Sequence, residues 1–357
     1  MIFRICSADM REIFKKGVSL LFVFLLILSL FTACGEKNRG RIRDNNAENG
    51  TLDNNSMSDN MMTLPTDMTT GAANTTAPAS EIGEKNTSSE KVITGENTGT
   101  KDTLTGFEKL IPIHFEVNDP ENQRGLSTKK LCHSHGPASG GEAHFTVKEF
   151  QKNFDKYNAL TLDTVSTDKR LYLTFDCGYE HNNLTSKILD VLKEKNVPAA
   201  FFCTLHHIKT QPELITRMIK EGHIVGNHSD THPSFATISR TQMAQEIENC
   251  DNFLREEYGY SARFFRFPAG EYNDSALDLV NSIGFVSVFW SVAYSDWDTE
   301  NPHGKDYAVK TVMDRLHPGA VILLHAVSQD NADALGEIID NARTQGYRFC
   351  SLDEYGK

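Results

Sequence analysis

From Leu171 onward, short apolar runs alternate with longer segments whose apolar residues recur every three or four positions. Leu171-Tyr172-Leu173-Thr174-Phe175 follows a polar run and reads as a buried strand that ends at Asp176-Cys177-Gly178. Ile188, Leu189, Val191 and Leu192 mark the inner face of a helix over residues 184–195, and residues 199–203 form a second strand. Pro212 opens a helix in which Leu214/Met218 and Ile215/Ile219 repeat at i, i+4, and Gly222 ends it. A strand at 224–226 precedes Ser239 and Gln242, a capping box ahead of the stripe Met243, Ile247, Cys250 and Leu254. Strands at 264–267, 285–290, 321–324 and 347–350 follow. They are separated by the helix faces Ala276/Leu279/Val280/Ile283 and Ala332/Leu335/Ile338/Ile339/Ala342. This alternation predicts an α/β fold whose parallel strands close, or nearly close, into a distorted (β/α) barrel with helices outside.

The pattern is absent upstream. Arg4, Arg11, Lys15 and Lys16 precede an almost wholly apolar run from Val18 to Phe31, which leads into Thr32-Ala33-Cys34. At about 14 residues the run fits a signal segment and is short for a bilayer span. Small residues before a cysteine resemble a bacterial lipobox, with Cys34 as the lipidated residue, although Phe31 stands where Leu is usual. The alternative is an uncleaved signal anchor. Either reading places the remainder outside the cytoplasmic membrane and tethered to it. Residues 35–106 hold no Phe, Tyr or Trp and are rich in Asn, Thr, Ser, Gly and acidic residues. Such a segment cannot bury enough apolar surface to offset its chain entropy, so a disordered tether is expected.

The chain therefore divides into a signal and lipobox segment (1–34), a linker (35–106), an irregular extension (107–168) with a helix near 145–157, and the alternating α/β domain (169–357). The net charge of −12 argues against nucleic acid as a partner. In the extension, Cys132, His133 and His135 match no dependable zinc module and are expected in a surface loop. Cys203, Cys250 and Cys350 lie in apolar contexts and read as small hydrophobes, leaving Cys177 as the candidate free thiol.

Polar groups recur where the strands end, the edge at which α/β folds build sites. Asp176 and Cys177 end the first strand. Asn227-His228-Ser229-Asp230-Thr231-His232 follows the third, and one helical turn there would put both imidazoles on one face, able to hold a metal; two ordinary loop histidines are the alternative. Arg266-Phe267-Pro268-Ala269-Gly270 follows the fourth, Asp296-Trp297 lies beyond the fifth, and His325 follows Val321–Leu324.

In this order the segments T-F-D-x-G, H-S-x-x-H, R-x-P-x-G, D-W and L-L-H resemble the five motifs of the polysaccharide deacetylases, the family 4 carbohydrate esterases, over roughly residues 169–355. The stretches FDCGYE, GHIVGNHS, VFWSVAYSDWD and HPGAVILLHAVSQDNADAL are similar to the delta-lactam-biosynthetic muramic acid de-N-acetylases of spore-forming bacteria. The resemblance implies hydrolytic N-deacetylation of peptidoglycan amino sugars. It implies a divalent metal, zinc foremost, held by His228 and His232. Asp176 would be the general base, oriented by Arg266, and His325 the general acid, held protonated by Asp296. Backbone N–H groups near Ala269 to Glu271 would complete the oxyanion hole, with Gly270 in the substrate-binding loop. Trp297, Tyr272 and Phe267 would either stack on sugar rings or pack at the rim. Where the family usually carries a second, metal-binding Asp, this chain has Cys177. A His-His-Cys site is one option; two histidines with waters filling in is the favoured one. An N-acetylglucosamine or chitooligosaccharide deacetylase is the alternative in the same class, and a non-catalytic wall-binding lipoprotein the alternative in another.

Overall fold

The computed structural model describes residues 107–357. The expected signal segment, Cys34 and the tether over 35–106 lie outside the described residues. Among the described residues no helix is long and apolar enough to cross a membrane.

In chain order the elements are β1 (Leu131–Cys132), α1 (Phe145–Phe154), β2 (Arg170–Cys177), α2 (Leu184–Lys195), β3 (Ala200–Cys203), α3 (Leu205–Thr210), α4 (Pro212–Lys220), β4 (Ile224–Asn227) and α5 (Arg240–Tyr258). They continue as β5 (Phe264–Phe265), β6 (Glu271–Tyr272), α6 (Asp274–Ser282), β7 (Val286–Ser287), α7 (Lys305–Arg315), β8 (Ala320–His325), α8 (Gln329–Thr344) and β9 (Arg348–Phe349). Parallel strands run in the order β7-β5-β4-β3-β2-β8, and β9 pairs with the start of β2.

The curled sheet is closed by irregular backbone. Leu160 bridges to Val288, Leu162 to Ala320 and Val292 to Ile322. The expected strand over 285–290 is thus a two-residue ladder, because the Val288 carbonyl accepts from Arg266 Nε and Phe289 N–H turns to the Leu160 carbonyl. Beyond β7 the chain crosses to β8 instead, where Leu323 N–H donates to the Val292 carbonyl at 2.8 Å.

Alternation of side chains along each strand gives the sheet two apolar faces. Tyr172, Ala200, Phe202, Phe264, Val288 and Val321 pack inside the barrel. Leu171, Leu173, Phe175 and Cys177 face outward, against helix residues such as Ile188, Leu189 and Leu335. Gly226 on β4 is required by this packing: a Cβ there would come within 2.6 Å of the Phe202 ring.

The extension belongs to the same packed body. Residues 110–115 run along α5, with Leu110 N–H donating to the Arg255 carbonyl at 2.8 Å and Phe115 N–H to Glu248 Oε2 at 2.7 Å. Gly259 ends α5 in the left-handed region at φ +56°, and a Cβ there would meet the Glu108 carbonyl at 1.9 Å. β1 pairs antiparallel with β6. This corrects the surface-loop expectation for His133. Its ring packs among Phe150, Phe154, Phe289 and Trp290, and burial pushes its pKa down to about 3. His135 Nδ1 accepts from the Trp290 indole at 3.2 Å. The two histidines anchor the extension to the barrel wall, and Cys132 lies on the exposed side of β1.

Candidate active site

Strand register assembles the site. Asp176 on β2 and His325 on β8 are direct partners in a parallel ladder, so both side chains leave the sheet on its inner face at one mouth of the barrel. His228 and Arg266 are the residues that follow β4 and β5, and Asn227 and Phe265 pair just before them.

Arg266 is fully buried, which a guanidinium tolerates only when its donors are matched. Its Nη1 donates to Asp176 Oδ1 and its Nη2 to Thr174 Oγ1, both at 2.8 Å; its Nε donates to the Val288 carbonyl at 3.0 Å. Its plane lies over Phe202, 4.1 Å from the ring centroid. Burial alone would raise the Asp176 pKa. The charge of Arg266, joined by that of His325, outweighs it and holds the carboxyl below its ordinary range.

His228 and His232 stand with ring centroids 4.9 Å apart. The expected helical turn does not form. Residues 228–232 are a loop with Ser229 at φ +69° and His232 at φ +59°, and these two left-handed residues bring the rings together. His228 Nδ1 lies 2.8 Å from the Arg266 carbonyl, which can only accept, so Nδ1 carries the proton and Nε2 keeps its lone pair. That Nε2 lies 3.6 Å from Asp176 Oδ2. Burial pushes the His228 pKa down to about 4 and lowers that of His232 as well. Two neutral imidazoles next to an ionised carboxylate are a donor set that fits a divalent cation.

On the other side of the mouth, Asp296 Oδ1 accepts from His325 Nδ1 at 2.7 Å and its Oδ2 from His325 N–H at 2.8 Å. Burial opposes charge on His325, but Asp296 outweighs it and raises the pKa above the ordinary imidazole value. Asn331, which sequence reasoning missed, donates to Asp296 Oδ2 at 2.5 Å and is held in turn by the Tyr294 hydroxyl at 2.6 Å. Asn331 sits at the start of α8 just after the L-L-H segment, a nearness in sequence that carried the only hint.

The remaining expected residues divide. Trp297 is 57% exposed with its ring 5.8 Å from that of His325, open to a ligand. Tyr272 and Phe267 are 3% and 1% exposed and pack against Phe154 and Phe289, so of their two readings the packing one is realised. Both polar groups of Gly270 are already paired: its N–H donates to the Phe267 carbonyl, and its own carbonyl accepts from His133 N–H. Glu271 N–H is likewise bonded to the Pro268 carbonyl, leaving Ala269, held at φ +53°, as the donor that remains of the three expected. Cys177 is not brought to the histidine pair. One residue past Asp176 it turns to the opposite face of β2 and into the helix-facing core. Tyr179, 46% exposed just beyond Gly178, was not singled out in the sequence.

Residues 163–288 match the family described as polysaccharide deacetylase. The chain is 40% identical over 222 residues to the peptidoglycan-N-acetylmuramic acid deacetylase PdaA of Bacillus subtilis, covering 62% of this chain and 81% of that one. It is 35% identical over 184 residues to a peptidoglycan-N-acetylglucosamine deacetylase of Bacillus cereus, covering 50% and 66% of the two chains. The solved structure of Bacillus subtilis PdaA, a family 4 carbohydrate esterase, matches with a TM-score of 0.62 at 37% identity, over 64% of this chain and 98% of that one.

Proposed function

This chain belongs to the polysaccharide deacetylases, the family 4 carbohydrate esterases, and from that premise we propose that it removes the acetyl group of N-acetylmuramic acid in peptidoglycan by metal-dependent hydrolysis, as a step toward the delta-lactam of spore cortex. The reaction class is hydrolytic N-deacetylation. The observation that carries the mechanism is the ladder pairing of Asp176 with His325, each braced by its own buried partner, beside two neutral histidines.

Asp176, kept ionised by Arg266, takes a proton from the attacking water as that oxygen adds to the acetyl carbon. Ala269 N–H would donate to the developing oxyanion. His325 holds its Nδ1 proton against Asp296, which leaves the Nε2 proton for the amine nitrogen as the C–N bond breaks. Acetate and a free amino sugar result. His228 and His232, with Asp176 adjacent, are the residues that would hold the cation. When bound there it supplies Lewis acidity to the acetyl oxygen. Zinc suits imidazole donors.

The muramic acid reading is supported by the PdaA relative. The second reading, N-acetylglucosamine, is supported by the Bacillus cereus relative. Muropeptide mass spectrometry after incubating the purified chain with fully acetylated peptidoglycan separates them. Acetyl loss from muramic acid supports the first reading, loss confined to glucosamine the second, and no loss from either sugar sinks both. We also propose that the enzyme works outside the cytoplasmic membrane, anchored through Cys34. A fatty-acid analogue should label the wild type and not Cys34→Ala, and equal labelling of the two would refute the anchor.

A further inference from the structure

Behind the catalytic carboxylate, on the helix-facing side of the sheet, lies a second cluster of donors that the mechanism does not use. Cys177 and Cys203 are direct partners in the ladder of β2 and β3, so their side chains leave the sheet on one face. His207, the third residue of α3, closes over them. The helix is pinned there: Thr204 N–H donates to the Cys177 carbonyl at 3.1 Å, and the Thr204 hydroxyl donates to the Gly178 carbonyl at 3.0 Å. The same hydroxyl oxygen caps the helix by accepting from His207 N–H at 3.3 Å. The two Sγ atoms and a His207 ring nitrogen lie within 4.8 Å of one another, and all three residues are fully buried.

Neither ring nitrogen of His207 has a hydrogen-bond partner. Leaving a buried polar group unsatisfied costs roughly 1–3 kcal/mol. We propose that Cys177, Cys203 and His207 form a second metal site, separate from His228 and His232, that takes a thiophilic divalent cation of the zinc type.

The charges balance. Two thiols lose their protons to solvent, and two thiolates with a neutral imidazole cancel the charge of a dication, the condition for burying it. A monovalent soft cation on two thiolates would leave a net negative charge in the core. Tetrahedral zinc, with Zn–S of about 2.3 Å, sets sulfur atoms roughly 3.8 Å apart, so closure from the present spacing needs shifts of about 1 Å or less; the three side chains would fill three of the four positions and a water taken up with the cation the fourth. Loading accompanies folding, since the cluster is closed to solvent. Once filled, the site ties the end of β2, one residue from Asp176, to β3 and α3. Cys250 is the natural control: it is buried nearby, but its thiol donates to the Cys203 carbonyl at 3.7 Å and stands outside the cluster.

The test uses the full chain produced in zinc-depleted, cobalt-supplemented medium. The wild type should hold two equivalents of cobalt and the His228→Ala/His232→Ala variant one. Both should show the intense near-ultraviolet band of a thiolate-to-cobalt charge transfer. Cys203→Ser should lose the band and one equivalent, and Cys250→Ser should keep both. Because the band is read in the wild type and in the double-histidine variant, the outcome does not depend on Cys203→Ser folding. One equivalent with the band would leave this site standing and remove the proposed His228/His232 site. Absence of the band from the wild type, a Cys177–Cys203 disulfide in the protein as isolated, or a band that depends on Cys250 and not on Cys203 overturns the proposal.

Discussion

Two adjacent residues at the end of β2 meet opposite worlds. Asp176 faces the barrel mouth, where Arg266, His228 and His325 surround it with positive or polar partners and keep it ionised. Cys177 faces the helix layer, where burial pushes its thiol pKa well up and its nearest polar neighbours are Cys203 and His207. The strand period of two, not the order of residues in a motif, decides which side chain joins the chemistry. A carboxylate at position 177 in this backbone would enter the wrong compartment.

The largest effects should come from moving charge between those compartments. Asp176→Asn removes the base and should lower kcat by about 10²–10⁴-fold. It also leaves the Arg266 guanidinium buried beside a neutral amide, a loss on the order of 3 kcal/mol. Circular dichroism melting alongside the kinetics checks both parts. The mirror variant, Cys177→Asp, should lower the melting temperature and confer no added metal affinity on the histidine pair. Tighter binding at His228 and His232 in that variant would show that the two faces are not separate.

A smaller effect tests the other half of the mouth. Asp296 raises the pKa of His325, so the protonated acid persists above its ordinary value of 6.5 and kcat/KM should fall only as pH rises through the raised value. Asp296→Asn should move that alkaline limb to lower pH, with a loss at neutral pH short of the roughly 10²-fold expected for removing the acid. The stability linkage has the same sign. A group whose folded pKa is raised stabilises the fold below its unfolded pKa, and that contribution is lost as pH rises through the folded value. An unmoved alkaline limb in Asp296→Asn would detach Asp296 from the acid.

Much of this was legible in the sequence, for reasons that can be named. Helix α2 matches the expected span 184–195, and the Ser239/Gln242 capping box forms as read, because both signals are local. Asp176, His228, Arg266 and His325 meet because each ends or directly follows a strand, which the βα alternation exposes, whereas Asp296 reaches them from irregular backbone beyond β7. What the sequence hid is set by distant partners. α3 spans six residues, too few for a periodic stripe, yet it carries His207. The closing bridges at Leu160, Leu162 and Val292 are single pairings with no pattern of their own. The polar look of residues 132–135 concealed an aromatic socket built by residues more than 150 positions away for Trp290, which His133 reaches through a 2.7 Å contact with its carbonyl.

The smallest expected effect separates the exposed aromatics from the buried ones. Trp297 presents its ring to solvent beside His325, while Tyr272 of the same expected group is sealed against Phe154 and Phe289. A ring that only stacks on the substrate contributes alike in the ground and transition states, so its loss raises KM and leaves kcat alone. Trp297→Ala should therefore raise KM by about three- to tenfold, an aromatic contact of roughly 0.5–1.5 kcal/mol, with no change in melting temperature. Tyr272→Ala should do the reverse, costing on the order of 3 kcal/mol of stability as a large core side chain is removed. Steady-state kinetics on soluble glycan, read against thermal melts of both variants, checks the pair. If Trp297→Ala lowers kcat with KM unchanged, the ring steers His325 rather than the sugar, and the acid side of the mouth extends one residue further than the Asp296 contact.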